Sequence, residues 1–392
     1  MNADQESDYG PAPRRRGLRT GFTTGACAAA ATRGACLALG GLRPDAVDIP
    51  LPAGFTASFQ LNGLEADGCR ARASVVKDAG DDPDVTHGAE ISAEVEVAAN
   101  APERVRSGWR VVARGALARR MGAASVLELR AGEGVGVVTR PGLGLPVGGP
   151  AINPVPRRMI ARSVREALQP PAPFVSVTIG VRDGEALARR TLNGRLGIEG
   201  GLSILGTTGI VRPYSTASWR ASVLQGIDVA AAVGCEEIVA STGGRSEAYA
   251  RRVLPDLPEV AFVEMGEFTG HVLKRARDRG LRTVHLSGMV GKLSKIACGH
   301  FMTHVAGNQV DTAYLAELAE RAGGSLELTS AVRHANTARH AQELVTRAGA
   351  SRFFDHLCAD VVRSCSDLIG DRPEVRVLLF DFDGRLLGRA PA

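Results

Sequence analysis

The 392-residue chain is 44% hydrophobic and 23% charged, ordinary values that exclude disorder for its bulk. Its net charge of +5 and 4% aromatic content provide neither a dense basic block nor stacking platforms, which argues against nucleic-acid binding. No apolar run reaches the roughly 18 residues of a bilayer span, and the 7 cysteines form no C-x-x-C pair, which fits reduced thiols in a cytosol better than disulfides or thiolate zinc sites.

Residues 1–17 are acidic, then Pro-rich, then arginine-rich, and lack an apolar core; they read as a disordered tail on a cytoplasmic protein. Thr20-Gly21-Phe22-Thr23-Thr24-Gly25 precedes a helix expected over 26–39. Thr23 or Thr24 would cap that helix, and its first N–H groups would offer an anion site. Cys27 falls in the first turn, where the helix field lowers a thiol pKa. With no histidine close in sequence to act as its base, it reads as a small buried residue. Period-two patterns over 56–61, 70–76, 91–97 and 108–112 predict an antiparallel sheet. Within this region Asp78, Asp81, Asp82 and Asp84 crowd one loop without EF-hand spacing; Asx turns and contact with a substrate or metal both remain open. Lys77, Lys274, Lys292 and Lys295 are the only lysines in an arginine-rich chain, so each marks a candidate place for a compact ammonium. Residues 132–156 form a Gly- and Pro-rich loop ending in Asn153-Pro154-Val155-Pro156-Arg157, with Pro156 suited to start a helix over 157–168. That loop reads equally as a substrate wall or a stiff connection.

From about residue 200 the rhythm changes. Strands expected over 202–205, 237–241, 260–264 and 283–287 alternate with helices over 217–233, 246–253, 267–279 and 292–298. The fold class expected is thus an α+β N-terminal domain over 18–200, with an antiparallel sheet, and an α/β Rossmann-like C-terminal domain over 201–392. Helical stretches follow within 312–322, 332–348 and 351–369, and then a hairpin over 375–382 and 385–387 turned at Asp383-Gly384, whose partner sheet is not readable.

Ser241-Thr242-Gly243-Gly244-Arg245-Ser246 leaves a strand and opens a helix, so its N–H groups would face a ligand at the carboxyl edge of a parallel sheet. Glu264 lies 20 positions after Gly244, where a ribose diol is commonly held, although the G-x-G-x-x-G fingerprint is incomplete. Gly206-Thr207-Thr208-Gly209 is a second candidate for the same edge, followed by Arg212 and Ser215. Gly288-Met289-Val290-Gly291-Lys292 fails the phosphate-loop spacing, since Leu293 stands where Ser or Thr is required. His300 and His304 would share a helix face and could hold a metal with Asp311, but neither H-E-x-x-H nor a clear helix is present; no metal is expected.

Taken together, these segments resemble the CbiD family, the cobalt-precorrin-5B C1-methyltransferases of the anaerobic corrin pathway. The resemblance rests on L-R-T-G-F-T-T-G-A-C (18–27), V-V-K-D-A-G-D-D-P-D-V-T-H-G (75–88), A-I-N-P-V-P-R (151–157) and G-G-L-S-I-L-G-T-T-G-I-V-R-P (200–213). It continues through S-T-G-G-R-S-E (241–247), 266–270, Gly291-Lys292, Thr303-His304 and the terminal L-L-F-D-F-D-G-R-L-L-G (378–388). It covers nearly everything from Leu18 onward. The order of the motifs is specific where each alone is modest.

The resemblance implies an enzyme of S-adenosylmethionine-dependent methyl transfer to a cobalt-bearing tetrapyrrole, at ring carbon C1, giving cobalt-precorrin-6A. Cobalt enters only as part of that substrate. No catalytic side chain is carried over. In-line transfer from a sulfonium needs alignment more than a strong nucleophile, and arginine forks and helix N-termini suit a ring bearing many carboxylates. The expected cofactor-binding set is Gly206, Thr207, Thr208, Gly209, Thr242, Gly243, Gly244, Arg245 and Glu264. The expected substrate-binding set is Thr23, Thr24, Lys77, Asp78, Asn153, Arg157, Lys292 and His304. The partner is a small tetrapyrrole, with transient contact to other corrin-pathway enzymes left open, and neither nucleic acid nor membrane; oligomeric state is not readable. Two alternatives stand beside this reading: a nicotinamide-dependent reductase of a tetrapyrrole, and a non-catalytic tetrapyrrole carrier.

Overall fold

The computed structural model of the chain describes residues 17–98, 109–112, 126–168, 174–303 and 309–391. The expected N-terminal tail, apart from Gly17, and His304 lie outside these residues. The chain divides into two compact units, Met1–Ala217 and Ser218–Ala392, and is mixed α/β with several sheets.

In the first unit, β1 (Gly21–Phe22) leads into α1 (Thr24–Leu39), and β2 (Ala46–Pro50) pairs with β3 (Thr56–Gln60). The main sheet comprises β4 (Gly63–Asp67), β5 (Arg70–Val76), β6 (Glu90–Ala98), β7 (Trp109–Val112), β8 (Val126–Ala131) and, after the short β9 (Val137–Val138) and α2 (Pro154–Ala167), β10 (Phe174–Val181). Its order is β4-β5-β6-β10-β8-β7. All pairs are antiparallel except β10 with β8. The expected antiparallel sheet therefore needs one correction. The chain returns from β8 to β10 through the Gly-rich loop and α2, a crossover long enough to lay two strands parallel.

α1 is apolar nearly all round, as a helix buried on most sides must be. Its alanines admit close neighbours: Ser163 of α2 donates to the Ala29 carbonyl at 2.9 Å, and the Gly34 backbone approaches Leu61 and Ala73. After β10 come α3 (Gly184–Ala188), β11 (Ile198–Glu199), which pairs with β9, and β12 (Ile210–Val211), which pairs with β1. Residues 202–205, expected to open the second unit's sheet, do not. They form single bridges, Leu202 with Val135 and Ile204 with Ile152, inside the first unit. Their amides are taken by the Gly134 and Ala151 carbonyls at 2.8 Å, so the Gly-rich loop captures this apolar run.

α4 (Thr216–Ala232) is followed by β13 (Glu237–Ser241), α5 (Gly244–Val253), β14 (Phe262–Glu264), α6 (Thr269–Asp278), β15 (Thr283–Met289) and α7 (Val290–Ala297). Then come α8 (Thr312–Arg321), α9 (Leu326–Arg333), α10 (Ala338–Arg347), α11 (Arg352–Ile369), β16 (Glu374–Phe380) and β17 (Leu386–Ala390). The helix expected within 332–348 is two, broken between Arg333 and Ala338. The second unit's sheet runs β14-β13-β15-β16-β17, parallel except for its last pair. The terminal hairpin thus joins this sheet, with β16 beside β15 and β17 at the edge. β13 and β15 are buried along nearly their whole length, as parallel strands covered on both faces are. The chain goes from β13 outward to β14 and then crosses back to β15. The carboxyl ends of β13 and β15 therefore flank a topological switch point, where open α/β sheets bind ligands.

Candidate active site

At that switch point the Thr242 N–H is held by the Ser287 carbonyl at 2.9 Å, which fixes the departure of the chain from β13. Gly243 and Gly244 then turn it into α5. Among the described residues the Gly244 and Arg245 N–H groups meet no acceptor, the usual condition of an uncapped helix start. A Cβ on Gly243 would find no atom within 4 Å, and one on Gly244 would have only the Glu264 carboxylate, at 3.6 Å, within that distance. Exposed donors, the positive end of a helix and an acidic side chain at the tip of β14 thus share one edge.

Lys292, in the first turn of α7, ties this edge together. Its ammonium donates to the Thr242 carbonyl and, at 3.4 Å, to the Gly266 carbonyl, joining the segments that leave β13 and β14. Burial lowers its pKa, and Glu267 and Glu264 act in the opposite direction. The Ser241 hydroxyl, at the end of β13, is buried with no partner among the described residues. Trp219 lies across Gly266, whose φ of +61° and missing side chain leave room for the ring. Arg245, on the opposite flank, points its guanidinium at the Phe382 ring, 5.4 Å away, with Arg339 at 4.8 Å from the same ring. Sequence reasoning named Glu264 and the glycine pair for the cofactor and Lys292 for the substrate, and named neither Trp219 nor Glu267. The one available signal for Trp219 was its rarity, as one of 2 tryptophans.

The first unit gathers three loops around the start of α1. Thr23 caps the helix, its Oγ1 accepting from Ala26 N–H at 3.2 Å. The Thr24 hydroxyl accepts from Leu205 N–H at 2.9 Å, and Gly25 N–H donates to the Leu205 carbonyl at 3.0 Å. The expected anion site at this helix start is therefore filled by the protein's own carbonyl and hydroxyl. Gly206 packs against Thr23, where a Cβ would come within 2.4 Å of its Oγ1, and Gly209 offers its carbonyl to Thr23 N–H at 3.0 Å. The structure thus corrects the strand expected before Gly206, Thr207, Thr208 and Gly209. They belong to the first unit and do not follow a strand of the second unit's sheet.

Lys77 is 1% exposed, and its ammonium meets Asp84 Oδ2 at 2.6 Å. Burial pushes the Asp84 carboxyl up, but Lys77 and the Thr86 hydroxyl and amide outweigh it and hold its pKa below the ordinary value. Asp78 takes a two-pronged bond from Arg19 and accepts from Gly80 N–H at 2.9 Å, contacts that hold its pKa at about 2. Asp82 Oδ1 accepts from Tyr214 N–H at 2.7 Å. Asp81 Oδ2 accepts from Arg19 N–H at 2.7 Å, so all four loop carboxylates fasten their own surroundings. Burial pushes the Cys27 thiol up to about 12, against a smaller pull from Lys77, so the helix field does not make it a nucleophile.

Arg157 is 3% exposed; its Nε donates to the Ile152 carbonyl at 2.5 Å, and its pKa is lowered to about 10 by burial. It clamps the end of the Gly-rich loop and offers no fork to solvent. Asn153 precedes α2 without a side-chain capping bond. Asp311 accepts from Ala313 and Tyr314 N–H at 2.9 and 3.0 Å, as the cap of α8. No helix among the described residues is long and apolar enough to cross a membrane.

The CbiD family model matches residues 12–213, and the model of the CbiD C-terminal domain matches 302–391. A relative from Thermus thermophilus, a cobalt-precorrin-5B C(1)-methyltransferase, is 49% identical over 384 residues, 98% of this chain and 97% of its own. A protein of the same name from Salinispora tropica is 50% identical over 369 residues, 94% of this chain and 91% of its own. The crystal structure of a cobalamin biosynthesis protein (cbiD) from Archaeoglobus fulgidus shares 25% identity over 85% of each chain, with a TM-score of 0.35. The matches define an enzyme of the C-methyltransferase class, acting in cobalamin biosynthesis. Within that class the chain belongs to the CbiD family.

Proposed function

We propose that the chain transfers the methyl group of S-adenosylmethionine to C1 of cobalt-precorrin-5B, giving cobalt-precorrin-6A. In this reading the second unit is a Rossmann-like nucleoside-binding sheet and the first unit contacts the tetrapyrrole. The supporting observation is the rim at the switch point: Gly244 and Arg245 N–H groups that meet no acceptor among the described residues, open space above Gly243, and Glu264 beside them. These residues fit a nucleoside amino acid. The donor supplies an already activated methyl group for in-line displacement by an electron-rich ring carbon. The protein's part is alignment and exclusion of water. Thr242, Gly243, Gly244 and Arg245 receive the carboxylate end, Glu264 accepts from the ribose diol, and Lys292 keeps the two receiving segments in register.

On the first unit the polar groups open to solvent are better placed for the macrocycle than those committed inside. Thr207, Thr208, Arg212 and Asn153 are proposed to meet its carboxylates. Thr23, Thr24, Lys77, Asp78 and Arg157 shape the loops that carry these groups.

Glu264→Ala tests the reading. Loss of one or two hydrogen bonds to the ribose should weaken S-adenosylhomocysteine about tenfold by calorimetry. Single-turnover incubation with methyl-labelled donor should carry label into the pigment. Unchanged affinity in Glu264→Ala would move the donor site elsewhere. Tight NADPH binding without S-adenosylhomocysteine binding would favour a reductase, and tetrapyrrole binding with no label transfer would favour a carrier.

A further inference from the structure

Trp219 has no part in the function just described, yet its environment is built. It lies in the first turn of α4 and is 44% exposed. Buried Phe268 fixes the indole edge-to-face, with centroids 5.0 Å apart and planes at 76°. Beneath it, the ring carbons Cζ2 and Cη2 lie 2.4 and 2.6 Å from where a Cβ on Gly266 would stand, so the indole rests directly on main chain. The carbonyl of that same Gly266 accepts from Lys292, which also holds Thr242. The ring is therefore a braced, solvent-facing surface on the backbone two residues beyond Glu264, coupled through one ammonium to the Gly243–Gly244 turn.

We propose that Trp219 is the stacking surface for the purine base of the methyl donor. This deepens the donor-site reading above and rests on it. A base attached to a ribose whose hydroxyls are held by Glu264 must lie within about one sugar's width of that carboxylate, and the exposed Trp219 indole packs on the backbone of Gly266, two residues after it. Charge separates the base from the other flat ring in the reaction. Glu264 and Glu267 flank Gly266, so a macrocycle bearing many carboxylates would be repelled there, whereas a neutral purine with exocyclic N–H donors would not. A ring already held by Phe268 loses little freedom on stacking.

The chain has 2 tryptophans, so in a Trp109→Phe background the emission reports on Trp219 alone. S-Adenosylhomocysteine and adenosine should each quench that emission saturably. In the otherwise native chain, Trp219→Ala should weaken S-adenosylhomocysteine about tenfold, as loss of one base stack does. Trp219→Phe should recover most of that loss, and cobalt-precorrin-5B affinity should be unchanged in both variants. Undiminished S-adenosylhomocysteine affinity in Trp219→Ala would overturn the proposal while leaving the donor site in place. Quenching by cobalt-precorrin-5B and not by the nucleosides would overturn it in favour of a macrocycle contact. If the native chain binds no S-adenosylhomocysteine at all, the donor site itself is wrong and the base platform falls with it.

Discussion

A buried ammonium must be answered by a carboxylate, and Lys77 shows what that requires of a loop. Lys77 keeps 1% of its side chain in contact with water, and Asp84 keeps 24%. Breaking such a pair strands the buried charge, so Asp84→Asn should destabilise the fold by about 3 kcal/mol in chemical denaturation. The sign with pH follows from the lowered Asp84 pKa. Its ionised form stabilises the fold fully above the unfolded value of about 4, and that contribution fades as pH falls through the lower folded value. Asp84→Asn should therefore flatten the acid limb of the stability curve below about pH 4, with Asp78 retaining a share of it. Lys77 was legible as unusual, because lysine is rare in this chain. Its duty was not, because burial depends on how residues 77–88 fold back. Arg157 misleads in the same way. An exposed arginine and one whose guanidinium serves Ile152 look alike in sequence.

The helix starts make the same contrast among elements. α1 and α5 both follow threonine- and glycine-bearing turns, and the sequence assigned an anion site to each. Leu205 and Thr23 close the first, whereas nothing among the described residues closes the second. Methyl groups added at the two turns should separate them. Gly206→Ala places a side chain at a φ of +128° and into Thr23, and should lower the melting temperature by several degrees. Gly243→Ala meets no neighbour, at a φ of 170° that any residue adopts. It should leave melting unchanged while weakening S-adenosylhomocysteine severalfold. The alternation from residue 237 onward was readable because each strand is a short apolar run between helical periods. Residues 202–205 have the same local look. Only the distant Gly134 and Ala151 carbonyls decide that they bridge within the first unit.

Across the whole molecule, proposed labour is divided between two units, and hydrogen exchange can map it. S-Adenosylhomocysteine at about 100 times its dissociation constant should add roughly 2.7 kcal/mol to the unit that binds it. Slowed exchange should appear at residues 241–247 and 264–268, with residues 23–27 unaffected. Protection centred on 203–209 instead would return the donor to the first unit. Composition and rhythm foretold two kinds of architecture in one chain. The partner of the terminal hairpin was hidden, because β15 and β16 become neighbours only after residues 290–373 have intervened. That spacing bears on synthesis. A chain emerging from the ribosome shows β13, β14 and β15 early, yet the far edge of β15 stays naked until five more helices and β16 have been translated. During that interval its unpaired amides and carbonyls invite strands of other nascent chains. Slowing elongation after residue 290 should then raise the burden on chaperones more than slowing it anywhere earlier.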